Sequence, residues 1–300
     1  MSTLARLAGF VVGLVAVFAV ALGAGSLWGP TVAAPEVHEE DAGHAGDAGH
    51  DEGSAEAESA SNLPGGLLRS QDGYTLVLSE TVASAGRRVP LSFTVSGPDG
   101  APVTAYDVEH GKRLHLIVVR RDLTGFQHVH PDLDAATGRW SSSVDLEPGT
   151  WRVFADFTAT GGPALTLGAD LTVPGEVPAA EPLAADRRTA EVDGYSVELA
   201  ADEVAGELVG GSDSELTLTV SRDGQPVTDL EPYLGAYGHL VALRDGDLAY
   251  LHVHPHESEA AGPDIEFTAE VPSAGGYRLF LDFRHGGQVH TASFDVTAGR

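Results

Sequence analysis

The chain has no cysteine, and its single methionine is Met1. The first absence removes disulfides, thiolate nucleophiles, iron–sulfur clusters, cysteine zinc sites and lipoprotein attachment. The second removes the thioether ligands that favour cuprous copper. Basic residues are scarce too: 17 Lys and Arg stand against 44 Asp and Glu, a formal net charge of −27 at pH 7 over 300 residues. A surface this acidic repels phosphate backbones, which excludes nucleic acid as a partner. Against these absences stand 13 histidines, most of them clustered. Any metal site is therefore limited to imidazole and carboxylate donors, which suit a hard or borderline ion.

Residues 1–30 read as a short cytoplasmic start and a transmembrane anchor. Leu7 to Leu27 holds only apolar residues, Gly and Ser26, and as a helix of about 31 Å it matches a hydrocarbon core. Arg6 precedes this run and the next basic residue is Arg69. Positive-inside reasoning then places the N-terminus in the cytoplasm and the bulk outside, single-pass in the plasma membrane, with the lipid bilayer contacted through Leu7 to Leu27. A cleaved signal peptide and a secreted body form the competing reading, with Val32-Ala33-Ala34 as a late cleavage site. Residues 31–68 read as a disordered stalk. Nine acids lie between Glu36 and Glu58 with no base among them, so nothing there can bury a core. His38, His44 and His50 punctuate the stalk at a spacing of six. They form either a weak metal-scavenging tail or part of a solvated linker.

Beyond the stalk the sequence repeats itself. Gly73-Tyr74 answers to Gly194-Tyr195, the run from Leu91 to Ser96 to that from Leu216 to Ser221, and Pro102-Val103-Thr104 to Pro226-Val227-Thr228. His115 matches His239, and His128-Val129-His130-Pro131 matches His252-Val253-His254-Pro255 at the same interval. Each copy shows about seven short runs rich in Val, Leu, Thr and aromatics, separated by Gly, Pro and Asp turns. The spacing predicts an all-β chain of two tandem immunoglobulin-like β-sandwiches, at 69–174 and 194–300, joined by a Pro- and Ala-rich linker at 175–193.

Strand alternation sharpens the histidine pattern. Arg244 shares a face with Leu240 and Ala242, so that face is expected to be the wetter one. His239 then lies on the core-directed face with Val241 and Leu243, and His115 likewise with Ile117 and Val119. If the short turns at Asp122–Gly125 and Asp245–Asp247 close hairpins, each copy brings three imidazoles together. The expected metal ligands are His115, His128 and His130 in one copy and His239, His252 and His254 in the other. Three imidazoles suit Cu(II) or zinc, with a carboxylate or water completing the sphere. Asp156 and Asp282 are candidates for that position, although alternation sets each beside an arginine, Arg152 or Arg278, and an Asp–Arg ion pair is an equal reading. His256, Glu257, His285 and His290 are further candidates in the second copy, which on that count is expected to bind more tightly. Ordinary imidazole titration predicts that occupancy falls as pH drops from about 7.5 to about 5.5. Histidines kept simply as inherited structure form the contrary reading.

The runs Leu114-His-Leu-Ile-Val-Val-Arg120 and Phe126-Gln-His-Val-His-Pro131, with their second-copy counterparts, resemble heavy-metal and copper-handling β-sandwich proteins of bacterial, particularly actinobacterial, envelopes. In outline they are also similar to periplasmic copper-resistance domains. Those domains carry a His near the mature N-terminus and a Met-rich cuprous site, and this chain has neither. The resemblance implies copper ahead of zinc and an envelope metal-transport partner. The function expected is a membrane-anchored, extracytoplasmic protein that buffers or delivers copper. The alternative is a non-catalytic structural or adhesive surface module whose histidines are structural. No nucleophile elbow, phosphate loop or His-Glu-x-x-His motif is present, so no enzyme is expected, with copper redox chemistry at a trio left open.

Overall fold

The structure, a computed structural model, describes residues 63–180, 182–184, 186–201, 208–251, 253–256 and 258–299. The expected anchor and the stalk histidines lie outside the described residues. Among the described residues there is no helix, and so none long and apolar enough to cross a membrane.

The chain is all-β, and each repeat is a pair of packed antiparallel sheets of immunoglobulin-like type. In the first repeat one sheet runs β1 (Ser70–Gln71), β2 (Tyr74–Leu78), β3 (Gly86–Ser96), β7 (Arg139–Leu146), β6 (Asp132–Asp134). The other runs β5 (Gln127–Val129), β4 (His115–Arg120), β8 (Gly149–Thr158), β9 (Ala164–Val173). In the second repeat one sheet runs β10 (Thr189–Val192), β11 (Tyr195–Ala201), β13 (Ser212–Arg222), β18 (Asp264–Val271), β17 (Val253–Pro255), with β14 (Gln225–Pro226) paired to β13. The other runs β12 (Leu208–Val209), β20 (Gln288–Gly299), β19 (Gly275–His285), β15 (Gly238–Arg244), β16 (Tyr250–Leu251), where β12 joins β20 in parallel. The strands absent from the sequence reading are two- to four-residue edge pieces, too short to show a period of two.

The two faces of β4 and β15 are the reverse of expectation. Leu116 and Val118 enter the first sandwich's own core with Trp151, Val153, Ala155 and Phe157. Leu240 and Ala242 enter the second core with Tyr277, Leu279, Leu281 and Phe283. Arg244 misleads because it lies at the strand end, where its guanidinium leaves the core to bond Asp247 and Ser273. The histidine-bearing faces point out of each sandwich and onto the other. Ile117, Val119, Leu123 and Phe154 form a third buried cluster with Val241, Leu243, Leu248 and Phe280. These strands read as unbroken apolar runs because both of their faces are covered.

The contact between the repeats has a quasi-twofold character that follows the sequence alignment. Phe126 stacks on Phe280 at a ring separation of 4.0 Å, and its counterpart Tyr250 packs on Phe154 at 5.7 Å. Each such aromatic pair adds about 0.5–1.5 kcal/mol beyond the area it buries. Residues 63–68 run along this seam as a strap. Tyr250 donates its backbone N–H to the Gly65 carbonyl, Gly66 donates to Thr166, and Gly168 donates to Leu68. Arg152 Nη2 also donates to the Gly66 and Leu67 carbonyls. Gly66 has φ +75°, and a Cβ there would stand 2.4 Å from the Phe154 ring, so only glycine passes at this point.

If this layer holds the repeats together, Phe280→Ala should cost about 3–5 kcal/mol. The measurement is the urea midpoint of the full-length chain. A loss under about 1 kcal/mol, within the range of ordinary substitutions, would show that the layer contributes little.

Candidate metal centre

The hairpin predicted from the His spacing forms. Beta-4 pairs β5 with Leu116 opposite Val129 and Ile117 opposite His128. One further step of that register sets His130 opposite His115, just past the end of β5. The turn closes through Arg120 N–H to Thr124 O and Leu123 N–H to Arg120 O, with Leu123 and Gly125 both at positive φ. The three imidazoles therefore meet. His115 Nδ1 lies 3.0 Å from His128 Nε2 and 3.3 Å from His130 Nε2, and one ligand nitrogen from each residue falls within 4.8 Å of the others. Three nitrogens bonded to one ion at about 2.0–2.1 Å sit about 2.9–3.4 Å apart, which is the spacing seen here.

The outer nitrogens fix the tautomers. His115 Nε2 lies 3.2 Å from the Glu109 carbonyl, which can only accept, so Nε2 carries the hydrogen and Nδ1 the lone pair. His128 Nδ1 lies 2.9 Å from Asp282 Oδ2. That carboxylate belongs to β19 of the second repeat, and the His128 and Asp282 side chains are 3% and 5% exposed. Thr291 donates to the other Asp282 oxygen. The ion pair recorded for Asp282 among the described residues is with His128, so this buried charge has no arginine or lysine beside it.

His239 stands near this trio. It is the register partner of Asp282, its Nε2 lies 2.8 Å from the Tyr233 carbonyl, and its ring centre is 6.2 Å from those of His115 and His128. A cavity of about 210 Å³ opens beside His115, His128 and His239, walled by Leu165, Leu240, Tyr250 and Pro255. His110, at φ +46°, stands with its ring 5.6 Å from that of His239.

The remaining candidates divide. His252 and Glu257 lie outside the described residues. His254 sits on β17, which pairs with β18, so its backbone is opposite Thr268 in the sheet that does not contain β15. The chain leaves β16 at Leu251, whereas in the first repeat the equivalent strand persists to Val129. This strand end comes two aligned residues earlier, and His254 is not laid along β15 as its counterpart His130 is beside β4. Asp156 is the register partner of His115, accepts a hydrogen bond from Thr166 and lines the cavity. Neither Asp156 nor Asp282 forms the expected pair with its neighbouring arginine: Arg152 bonds Asp170, and Arg278 bonds Asp295 through two nitrogens. The antiparallel neighbour strand, one position across, offers the arginines closer carboxylates than their own strand does. His285 is held between the Tyr195 hydroxyl and Asp229, and His290 between Asp193 and the His285 carbonyl. Both nitrogens of each are engaged away from the trio. His256 contacts Glu215, Glu266 and Thr268 on the surface.

Burial and mutual proximity favour the neutral form of His115, His130 and His239. His115 is lowered to about 3, first by burial and then by His128 beside it. His130 is lowered to about 3 by burial, His128 and His115. His239 is lowered to about 4 by burial, against the partly restoring bond to Tyr233. Proton competition for an ion held here therefore belongs nearer the acid side than the window expected from an ordinary imidazole.

The profile of a domain of unknown function, DUF8832, matches the chain at residues 69–175 and again at 190–300. No curated protein matches it. Among solved structures, the Escherichia coli adhesin FdeC aligns at 19% identity over 77% of this chain and 65% of its own, with a TM-score of 0.26. The Yersinia pseudotuberculosis adhesin InvE aligns at 12% over 77% and 60%, with a TM-score of 0.22. The D0–D1 domain of intimin aligns at 13% over 75% and 97%, with a TM-score of 0.23. This chain thus spans less than two thirds of the length of either adhesin. Scores at this level carry no argument about what this chain does.

The depressed values fix the sign of a stability effect. Between the folded values near 3–4 and the ordinary 6.5, the unfolded chain takes up protons that the folded chain excludes. This contribution is complete above about 6.5 and is lost as pH falls through the folded values. In the metal-free full-length chain, the urea midpoint should therefore drop between about pH 7.5 and pH 4.5. His130→Gln should flatten that drop. A midpoint equally pH-dependent with and without His130 would show that the trio is not held neutral.

Proposed function

We propose, for a chain that belongs to the DUF8832 family and carries that domain of unknown function twice, a non-catalytic paired-sandwich module that holds one divalent d-block ion on His115, His128 and His130. Cu(II) stands ahead of Zn(II), because imidazole donors bind copper more tightly and neither a Cys nor a Met beyond Met1 is present to favour another choice. The expected setting is extracytoplasmic, on an acidic stalk behind the Leu7 to Leu27 anchor. A body whose residues 69–300 carry 16 basic and 35 acidic side chains attracts cations there.

One observation carries this reading. His115 Nδ1 and His128 Nε2 both present lone pairs, fixed by Glu109 O and Asp282 on the far sides of the rings, and they stand 3.0 Å apart. Two lone pairs at that distance need a cation between them. A single proton on His128 Nε2 would satisfy that pair, but His130 Nε2, 3.3 Å from His115 Nδ1, would then compete for the same Nδ1 lone pair. A metal ion satisfies all three. The carboxylate behind His128 then raises its basicity as a ligand.

The proton form corresponds to the second reading, a structural or adhesive surface module. In that reading His128 and Asp282 are an ion pair between the sandwiches, and the trio histidines are part of the seam that Phe126 and Phe280 also close. Copper delivery to an envelope transport partner is the finer form of the first reading.

Titration separates the two. With His38, His44 and His50 changed to Asn to silence the stalk, the full-length chain should bind one Cu(II) saturably, and His128→Asn should abolish that binding. Asp282→Asn should weaken it about 10–100-fold. A chain that binds no Cu(II) once the stalk is silenced, yet loses stability with His128→Asn, would leave the structural reading standing alone.

A further inference from the structure

His239 has no part in the reading above beyond lining the cavity. We infer that it is the fourth ligand of the same ion, supplied by the second sandwich, so that the ion is shared between the repeats; this rests on the trio reading.

The first argument is the state of its nitrogens. His239 Nε2 donates to the carbonyl of Tyr233, six residues upstream, just as His115 Nε2 donates to the carbonyl of Glu109, six residues upstream. The duplicated device fixes the same tautomer in both copies and leaves Nδ1 with the lone pair. Among the described residues no hydrogen bond reaches His239 Nδ1, and the residue stands at the wall of the cavity that His115 and His128 also line. The Nδ1 lone pair is thus a donor atom available to a cation.

The second argument is distance. Bonds of about 2.0–2.1 Å place each ring centre about 3.2 Å from the ion, so two imidazoles on one tetrahedral ion lie about 5 Å apart centre to centre. The trio already satisfies this: 5.3 Å for His115 and His128, 5.0 Å for His115 and His130, and 4.8 Å for His128 and His130. His239 stands at 6.2 Å from both His115 and His128, about 1 Å beyond the tetrahedral spacing. Closing that gap means moving β15 toward β4, across the seam between the sandwiches.

The third argument is charge. Asp282 is the register partner of His239 and already crosses the seam to His128. The second sandwich therefore brings both the buried negative charge and the remaining nitrogen, and the site is complete only when the sandwiches are docked. Four nitrogens also close the ion off from exchangeable positions, so the ion acts as a staple between the repeats.

The probe is Cu(II) on the full-length chain with the three stalk histidines changed to Asn. Electron paramagnetic resonance should count four nitrogen donors, and His239→Gln should leave three. Glutamine keeps a donor for the Tyr233 carbonyl while removing Nδ1. Loss of a direct ligand should weaken binding at least as much as loss of an outer partner, about 10-fold or more. Three nitrogens in the unsubstituted protein, or equal affinity with His239→Gln, would overturn the shared ion and leave the trio intact. Absence of any stoichiometric Cu(II) signal would overturn the trio itself. The nitrogen count of the unsubstituted chain decides the question even if His239→Gln does not fold.

Discussion

Burial of the outward faces of β4, β8, β15 and β19 against one another is the constraint on which the rest of the molecule depends. A β-sandwich needs only one face of each sheet to be apolar, and its other face normally meets water. Here Ile117, Val119, Phe154, Val241, Leu243 and Phe280 make the outer face of one sheet in each repeat as apolar as the inner one. The two repeats must therefore dock, and docking converts what would be a solvated histidine face into an enclosed one. The low protonation of His115, His130 and His239 follows from that enclosure, since burial is the largest cause in each case.

The same docking brings residues of the second repeat up to the trio of the first. The repeats are related by a quasi-twofold, so Phe126 on Phe280 answers to Tyr250 on Phe154. The strand end near the His-x-His pair nevertheless falls at different points, after Val129 in one copy and after Leu251 in the other. One residue of drift in a strand sends a side chain to the other face, and an earlier crossover sends it to another sheet. The first copy keeps its trio along β4. The second sets Asp282 against His128 and His239 near the trio across the seam.

Much of the architecture is legible in the chain. The twelve strands of five or more residues and the meeting of His115 with His128 and His130 follow from alternation, turn residues and a repeated interval. What misled was a single charged residue. Arg244 marked the Leu240 and Ala242 face as wet, yet a guanidinium at a strand end reaches beyond the core it borders. Similarly, Asp156 and Asp282 share strand faces with Arg152 and Arg278, but the arginines take carboxylates from the neighbouring strand, and Asp282 is left for a histidine of the other repeat.

The sequence by itself determined the donor chemistry, the two-sandwich fold and the local hairpin that gathers three imidazoles. These are properties of composition and of residues close along the chain, where period and turn length fix geometry. Only the tertiary structure decided that the histidine faces are an interface, that Asp282 bonds His128 and that His239 stands near the first trio. Those contacts join residues more than a hundred positions apart, and they depend on which faces of two separately folded sheets come together. A pattern read along one strand carries no term for the surface of another.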